Sequence, residues 1–352
     1  MPRVFVPLVL VPVLCLQAQE PKFSTGTEEV VAPVTVIDKR TKKFVNGLQG
    51  KDFTLADNGR QQDIKVDVTY VPISLVVAIQ ANNMVEPMLP KIKKIGPLLE
   101  GLVVGQQGEA AILKFDHRMV WLTDGFTNDG KEFTRALDKI NPGSSTSAMV
   151  DAVFEATRVL RNKPKERKRI LLLIAETRDK GSEGRIREAL LSAQVNNIIV
   201  YSVNLNRLIT NLAKKMDPPR PDHIPATARP VPGGGAQTPG TAAAMTGYGG
   251  QTFDVVPLIK EAMVQVKSVF IPNPLEVFTR YTGGREFSFL SQSDLERVVT
   301  ELGEELHSQY ILSYKPNNRE EGGWHDIKVG VNRHDLDIRT RVGYYTASVF
   351  NK

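Results

Sequence analysis

Three short, almost unbroken apolar runs constrain the fold of this chain more than any other feature. They cover residues 73–79, 169–175 and 198–203. Continuous apolar strands are typical of a parallel sheet that is buried on both faces. Helical patterns lie between and around these runs, at residues 87–102, 130–140, 148–162 and 184–195. Strands that alternate with amphipathic helices predict an α/β fold with a doubly wound, mostly parallel sheet.

Both ends of the chain read as β structure. Residues 29–70 and 308–347 alternate polar and apolar positions, and Asp57-Asn58-Gly59 is a strong hairpin signal. Each end segment is too small to be stable alone. We therefore expect the two ends to pack together as one small β-sandwich, into which the α/β domain of residues 72–307 is inserted.

Residues 217–250 interrupt the α/β pattern. Seven prolines lie between Pro218 and Pro239, together with a triple glycine. Such a composition buries too little apolar surface to offset the entropy of ordering the segment. The pattern predicts a disordered insertion, because helical and strand patterns resume after it.

The first 18 residues read as a signal peptide. Arg3 precedes an apolar run over residues 4–16, which is too short to span a bilayer, and Ala18 offers a small residue for cleavage. We expect an exported protein, in the periplasm, at the cell surface or outside the cell, without stable membrane insertion. Cys15 is the only cysteine, so cleavage after Ala18 leaves no disulfide chemistry.

The charge pattern argues against a nucleic-acid partner. The formal net charge of +6 is mild for 352 residues, and the single basic cluster, residues 163–169, has no interleaved aromatic residues. We expect this cluster to be a solvated loop between a helix and a strand.

Motifs of enzyme active sites are missing. The five histidines are not spaced as metal pairs, and there is no nucleophile elbow, phosphate loop or dinucleotide fingerprint. We therefore expect a protein that is not an enzyme. A hydrolase that uses Asp116, His117 and Ser147 stays open as an alternative, provided that these side chains converge.

The order of the elements resembles the von Willebrand factor type A domain, and the whole chain is similar to acidobacterial VWFA-related proteins. The resemblance covers residues 30–347 and depends on the order and spacing of several short motifs. These motifs are at residues 44–48, 52–53, 57–59, 72–75, 126–129, 309–316 and 339–344.

The resemblance implies a metal-ion-dependent adhesion site at the carboxyl ends of the strands. Its pattern is Asp-x-Ser-x-Ser after the first buried strand, a Thr from a later loop and an Asp after the next buried strand. The corresponding positions here are Gln80, Asn82, Met84, Ser147 and Glu176. Their neighbours are Asn83, Thr146, Arg178 and Asp179.

These departures are unfavourable for a hard cation. Gln80 removes a charge from the ligand set, Met84 brings a soft thioether, and Glu176 carries its carboxylate on a longer arm. We expect no metal and no other cofactor. Two interpretations stay open: a metal-free polar binding face, or a decayed site whose amides only satisfy loop backbone groups.

The function that we expect is an exported, non-enzymatic scaffold for adhesion or assembly that binds an unknown protein partner. An alternative is a structural spacer of an envelope assembly, tethered through its Pro/Gly-rich insertion. The expectation depends largely on the fold, and a fold alone does not fix a function.

Overall fold

A computed structural model describes residues 29–67, 71–99, 101, 107–205, 273–289 and 291–346. The predicted signal peptide, residues 1–18, and the predicted insertion, residues 217–250, lie outside the described residues.

The chain begins with four strands that do not belong to the central sheet. They are β1 (Val30–Asp38), β2 (Phe53–Asp57), β3 (Arg60–Gln61) and β4 (Ile64–Asp67). The expected hairpin joins β2 to β3, with Asp57 opposite Arg60. Asn58 and Gly59 both have positive φ, 49° and 80°. Asn-Gly tolerates this backbone best, so the sequence correctly predicted the turn.

The central sheet has six strands. They are β5 (Ile73–Gln80), β6 (Glu109–Phe115), β7 (Met119–Trp121), β8 (Lys168–Ala175), β9 (Ile198–Leu205) and β10 (Glu286–Phe289). Their order is β10-β9-β8-β5-β6-β7, and only the edge strand β7 is antiparallel to its neighbour. Every residue of β5 and β8 is buried. This is the doubly wound α/β arrangement that the apolar runs predicted.

Helices cover both faces of this sheet. They are α1 (Leu89–Lys93), α2 (Gly96–Leu98), α3 (Gly130–Asp138), α4 (Met149–Leu160), α5 (Ile186–Val195), α6 (Pro274–Thr282) and α7 (Gln292–Ser308). Residues of α1, α3 and α7 pack in one apolar cluster, and residues of α4, α5 and α6 pack in another on the opposite face. The helix expected at residues 87–102 is broken: α1 ends at Lys93, and Pro97 lies in the first turn of α2. A proline costs little at that position. Backbone amides in the first turn of a helix have no helical acceptor, so the missing N–H of proline loses no hydrogen bond.

The last four strands complete a second, antiparallel unit. They are β11 (Tyr310–Tyr314), β12 (Gly323–Val331), β13 (Leu336–Arg339) and β14 (Gly343–Thr346). They combine with the first four strands into two sheets, ordered β13-β1-β11-β4 and β14-β12-β2-β3. One apolar cluster contains residues of both sheets. Each sheet thus contains strands from both ends of the chain, which agrees with the predicted β-sandwich.

The basic cluster, residues 163–169, is only in part the solvated loop that we expected. Lys165 is exposed, but Lys168 and Arg169 are buried at the start of β8. Arg167 donates to Ser74 Oγ at 2.8 Å and to the carbonyl oxygens of Ile73 and Gln107 at 2.8 and 3.0 Å. The sequence did not predict this part because these long side chains reach groups that a local sequence window does not contain.

Candidate functional site at the carboxyl ends of the parallel strands

The candidate site residues gather where β5, β6 and β8 end. Gln80 is the last residue of β5, and Glu176 follows β8 directly. Ser147 lies in the loop before α4, which crosses above these strand ends. The structure therefore brings together the residues that the sequence pattern selected. We refer to this region, residues 80–86, 143–148 and 176–184, as the crest.

Gln80 connects two strand ends through both ends of its amide. Its Oε1 accepts a 2.8 Å hydrogen bond from the backbone amide of Glu176, and its Nε2 donates to Asn82 Oδ1 at 3.1 Å. The Gln80 side chain is fully buried. A buried amide with both polar atoms satisfied is a stable arrangement that needs no cation.

The asparagine pair holds the loop before α4. The backbone amide of Asn83 donates to Ser144 O at 2.9 Å, and the side-chain Nδ2 of Asn82 lies 3.5 Å from Ser145 O. Asn83 Oδ1 is buried and has no hydrogen-bond partner among the described residues. The Asn82 contact is at the outer limit of a hydrogen bond, so the backbone bond of Asn83 is the firmer of the two.

Asp116, just after β6, anchors the same loop from the other side. Its Oδ2 accepts from the Ser144 amide at 3.0 Å, and its Oδ1 accepts from the Arg118 amide at 2.7 Å. Burial alone would raise the pKa of this carboxyl, but these donors and the nearby cations outweigh it, and the pKa is lowered. A Cβ on Gly143 would lie 2.0 Å from Asp116 Oδ2, so the loop approaches closely only because residue 143 is glycine. The sequence alone did not predict that Asp116 anchors this loop.

Asp179 has a structural role, since it connects the loop after β8 to α4. Its Oδ2 accepts from the Val150 amide in the first turn of α4 at 2.8 Å, and its Oδ1 accepts from the Gly181 and Ser182 amides at 3.2 and 3.1 Å. Asp151 of α4 accepts in return from the Glu183 and Gly184 amides at 2.9 and 2.8 Å. The loop after β8 is thus attached to the amino terminus of α4 by reciprocal carboxylates. The sequence pattern identified Asp179 only as a neighbour of the site and did not predict this role.

Burial divides the candidate residues into two layers. Arg178 is exposed and Met84 and Thr146 are partly exposed. The remaining members of the predicted set other than Asp179 are buried: Gln80, Asn82, Asn83, Ser147 and Glu176. A partner approaching the crest would touch the outer layer, while the inner layer sets the shape of the loops.

The residues present do not fit the metal site that the resemblance implies. The oxygen of Gln80 already accepts from a backbone amide, and the oxygen of Asn82 accepts from Gln80. Ser147 Oγ is buried and has no hydrogen-bond partner among the described residues, and Glu176 supplies the one carboxylate of the set. No group of three or more His, Cys, Asp or Glu side chains in the described part of the chain is arranged to hold a metal ion. This donor set is poor for Mg²⁺, which requires near-ideal octahedral oxygen geometry.

The catalytic alternative also fails on geometry. His117 Nδ1 lies 2.6 Å from Ser144 Oγ and 3.4 Å from Asp116 Oδ1, so the hydroxyl and the carboxylate compete for the same nitrogen. A nucleophile, base and orienting acid need the two ring nitrogens in separate contacts. Ser147 Oγ, the proposed nucleophile, is not hydrogen-bonded to His117. The three residues of that hypothesis therefore do not form a catalytic triad.

Among the residues that the structure describes, no helix is both long and apolar enough to cross a membrane.

Comparisons with known proteins give likeness of fold only. No family model and no curated protein matches the chain. An aerotolerance-related membrane protein from Bacteroides fragilis, solved with multiple mutations to serines, is 16% identical, with 66% of this chain and 98% of that chain covered and a TM-score of 0.41. BatB, a conserved hypothetical protein from Bacteroides thetaiotaomicron, is 13% identical, with 66% and 98% covered and a TM-score of 0.42. A von Willebrand factor type A protein from Catenulispora acidiphila is 8% identical, with 85% and 75% covered and a TM-score of 0.45.

Identities and TM-scores this low transfer no function to this chain. The fold assignment depends instead on its own strand order, with one antiparallel edge strand and helices on both faces of the sheet. The chain has a von Willebrand factor type A-like α/β fold, joined to a β-sandwich made from both of its ends.

Proposed function

We propose that this protein is an exported, non-enzymatic scaffold that holds a protein partner on the crest without a metal ion. The observation that carries the proposal is the Gln80 amide, which joins the ends of β5 and β8 at the position where the related pattern has a metal-binding Asp. An organised crest at the carboxyl ends of parallel strands is where ligands of such sheets bind. The partner's chemical identity is left open.

The outer layer of the crest is suited to protein contact. Met84 offers a flexible, polarizable side chain, and the exposed Arg178 offers a planar cation. Both residue types are enriched in protein interfaces. Export is proposed from the apolar run and cleavage signal of residues 1–18.

A calorimetric titration of Mg²⁺, Mn²⁺ and Ca²⁺ into the purified protein tests the metal-free mechanism. We expect no binding heat. The matched control carries Gln80→Asp, Asn82→Ser, Met84→Ser and Glu176→Asp, which restores the related pattern, and this variant is expected to bind Mg²⁺. Micromolar or tighter binding by the native protein would overturn the metal-free proposal.

Site-specific photo-crosslinking tests the partner-binding role. A photoreactive residue at Thr146, in cells that produce the protein, is expected to give a discrete adduct that persists in the presence of a chelator. The same residue at the exposed Lys139 of the chain, after α3, is the control and is expected to give none. Absence of an adduct at Thr146, or equal adducts at both positions, argues for a decayed crest.

A further inference from the structure

A deep cleft lies at the opposite end of the α/β unit from the crest. It has a volume of about 880 Å³ and lies between the amino-terminal ends of β8 and β9 and the β-sandwich. The loop before β8, the loop before β9, the start of β1 and the strand β14 contribute to its walls. Clefts between two packed units are common ligand sites.

Three buried cations stand in the walls of this cleft, and backbone carbonyls hold them. Lys168 Nζ donates to Leu306 O at 2.8 Å. Arg169 donates to the carbonyl oxygens of Asn196 and Lys163, the former at 2.9 Å. Arg341 donates to Gly343 O and Val31 O, at 3.3 and 3.0 Å. Carbonyl oxygens accept hydrogen bonds from these side chains but do not neutralise their charge, and Arg169 Nε has no hydrogen-bond partner among the described residues.

The positive charge in the walls is therefore only partly compensated. Burial lowers the pKa of Lys168 to about 8, with Asp67 opposing the change, and burial lowers the pKa of Arg341 to about 10. Six cationic side chains line the cleft against three acidic ones. The six are Arg161, Lys165, Arg167, Lys168, Arg169 and Arg341, and the three are Glu29, Asp67 and Glu166. When the charges around a cleft are mostly of one sign and its walls have a low dielectric constant, the electrostatic field is concentrated in the solvent inside the cleft.

The rim of the cleft carries groups that are available to a ligand. In the described part of the chain, the side chains of Arg161 and Lys165 have no hydrogen-bonded or ionic partner. Val195, at the end of α5, is 50% exposed and lines the same cleft. These groups offer two cations and an apolar contact within one cleft.

We propose that this cleft binds an acidic peptide segment of a partner protein. Glutamate or aspartate side chains would meet Arg161 and Lys165, and an apolar side chain would cover Val195. Complementary charge steers such a partner to the cleft and fixes its register.

The cleft is less suited to a nucleic acid. Single strands bind to basic grooves that also present aromatic faces for stacking. Tyr344 is buried, and Tyr345 packs against Trp324 with ring centroids 5.0 Å apart and a steep interplanar angle of 64°. Neither tyrosine is an isolated, exposed ring of the kind on which bases stack, whereas the two rim cations and the apolar Val195 match a peptide that alternates acidic and apolar side chains.

Fluorescence anisotropy with a labelled decapeptide of alternating Glu and Val tests the proposal. We expect the full-length protein to bind this peptide, with an affinity that falls as salt is added, and to bind the Gln-Val analogue at least about tenfold more weakly. The variant Arg161→Glu with Lys165→Glu should weaken binding of the acidic peptide by about tenfold or more, because it reverses both available rim charges.

The control variant makes the same change in net charge elsewhere. Lys131→Glu with Lys139→Glu reverses two exposed charges at the two ends of α3 and should leave the affinity within about twofold of the native value.

Equal losses of affinity in the two double variants would show that the protein attracts acidic peptides through its net charge alone, and would overturn the proposal. Absence of binding at low salt, or tighter binding of a ten-nucleotide single strand than of the peptide, would overturn it as well. Crest variants are expected not to change this affinity, so failure of the crest mechanism and failure of the cleft proposal are distinguishable.

Discussion

Gln80 shows what a sequence can predict about a single residue and what it cannot. The pattern placed Gln80 and Glu176 at neighbouring strand ends, and in the structure Gln80 ends β5 and Glu176 follows β8, since both positions depend on two recognisable buried strands. Which atoms of the Gln80 amide would be used could not be predicted. Its partners are the backbone of residue 176 and the side chain of Asn82, and the first of these is 96 positions away.

A second polar group that sequence reasoning missed lies inside the β-sandwich. The Asp57 carboxylate is fully buried and accepts hydrogen bonds from Tyr314 at 2.8 Å, Tyr344 at 2.7 Å and Asn318 Nδ2 at 3.1 Å. Both tyrosines donate to Oδ2, whereas His325 Nδ1 lies 2.6 Å from Oδ1, the oxygen that Asn318 also contacts. In the sequence, Asp57 appeared only as the first residue of a hairpin signal. Its partners come from β11, from β12, from β14 and from the turn after β11, so only the assembled sandwich reveals the cluster.

This cluster predicts how stability depends on pH. Burial favours the neutral carboxyl of Asp57, but the four hydrogen-bonded partners outweigh it, and the pKa is lowered below its ordinary value. A carboxyl whose folded pKa is depressed stabilises the protein above its unfolded pKa, and the stabilisation is lost as pH falls through the folded pKa. We expect the free energy of unfolding, measured in urea, to decrease below about pH 4.

The variant Asp57→Asn should lower stability at pH 7 by about 1–3 kcal/mol and flatten the acidic decrease. Asp63→Asn, at an exposed carboxyl nearby, is the matched control and should leave the profile nearly unchanged. If the Asp57 variant keeps the full native pH profile, another carboxyl is responsible for the acid sensitivity.

At the scale of elements, periodicity predicted strands better than loops. The apolar runs gave β5, β8 and β9 closely, because a strand buried on both faces must be apolar throughout. The contacts made by the loop after β8 and by the basic loop before it were not predicted. Their polar side chains bond to elements far away in the sequence, and no local pattern records such contacts.

The loop after β8 offers a test at this scale. Asp179→Ala removes the acceptors for the Val150 amide and for the Gly181 and Ser182 amides. Loss of such a capping carboxylate typically costs about 0.5–2 kcal/mol. We expect that loss in urea unfolding, together with faster amide hydrogen exchange in the first turn of α4 and in residues 180–184.

Arg178→Ala is the matched control for this experiment. Arg178 is exposed next to Asp179, so its loss should change neither stability nor exchange in the first turn of α4. Unchanged exchange in the Asp179 variant would mean that the loop is held by its other contacts, such as those from the Lys180 and Gly181 amides to Ser147 O at 3.2 and 2.9 Å.

At the scale of the whole molecule, the two units share a buried ionic junction. Glu305 of α7 is fully buried and contacts Arg339 of β13 and Arg285, while its Oε1 accepts from the Tyr201 hydroxyl at 2.8 Å. Lys168 of β8 bonds to the carbonyls of residues 306 and 309, at the passage from α7 to the sandwich. The predicted sandwich followed from two weak end segments, but this junction could not be predicted, since neither Glu305 nor Arg339 lies in a distinctive motif.

The junction predicts that the two units unfold together. Arg339→Leu removes one cation from the buried Glu305, and breaking a buried ion pair on one side costs about 3–5 kcal/mol. Arg285 remains beside Glu305, at 3.4 Å, so a loss at the lower end of that range is expected. In the Arg339 variant, urea unfolding followed by tryptophan fluorescence should become less cooperative, because Trp324 lies in the sandwich and Trp121 in the central sheet.

Adding Glu305→Leu to Arg339→Leu supplies the control. The double variant has no buried carboxylate, so no charge is left with too few cations around it. Its decrease in the free energy of unfolding should therefore be smaller than the sum of the decreases in the two single variants. Additive losses would mean that the two side chains stabilise their own units separately. The ion pair would then not couple the α/β unit to the sandwich, and the cooperativity of the molecule would have to come from other contacts across the same boundary, such as those from Gln194 Nε2 to Gly343 O at 3.1 Å and from Lys168 Nζ to Gln309 O at 3.4 Å.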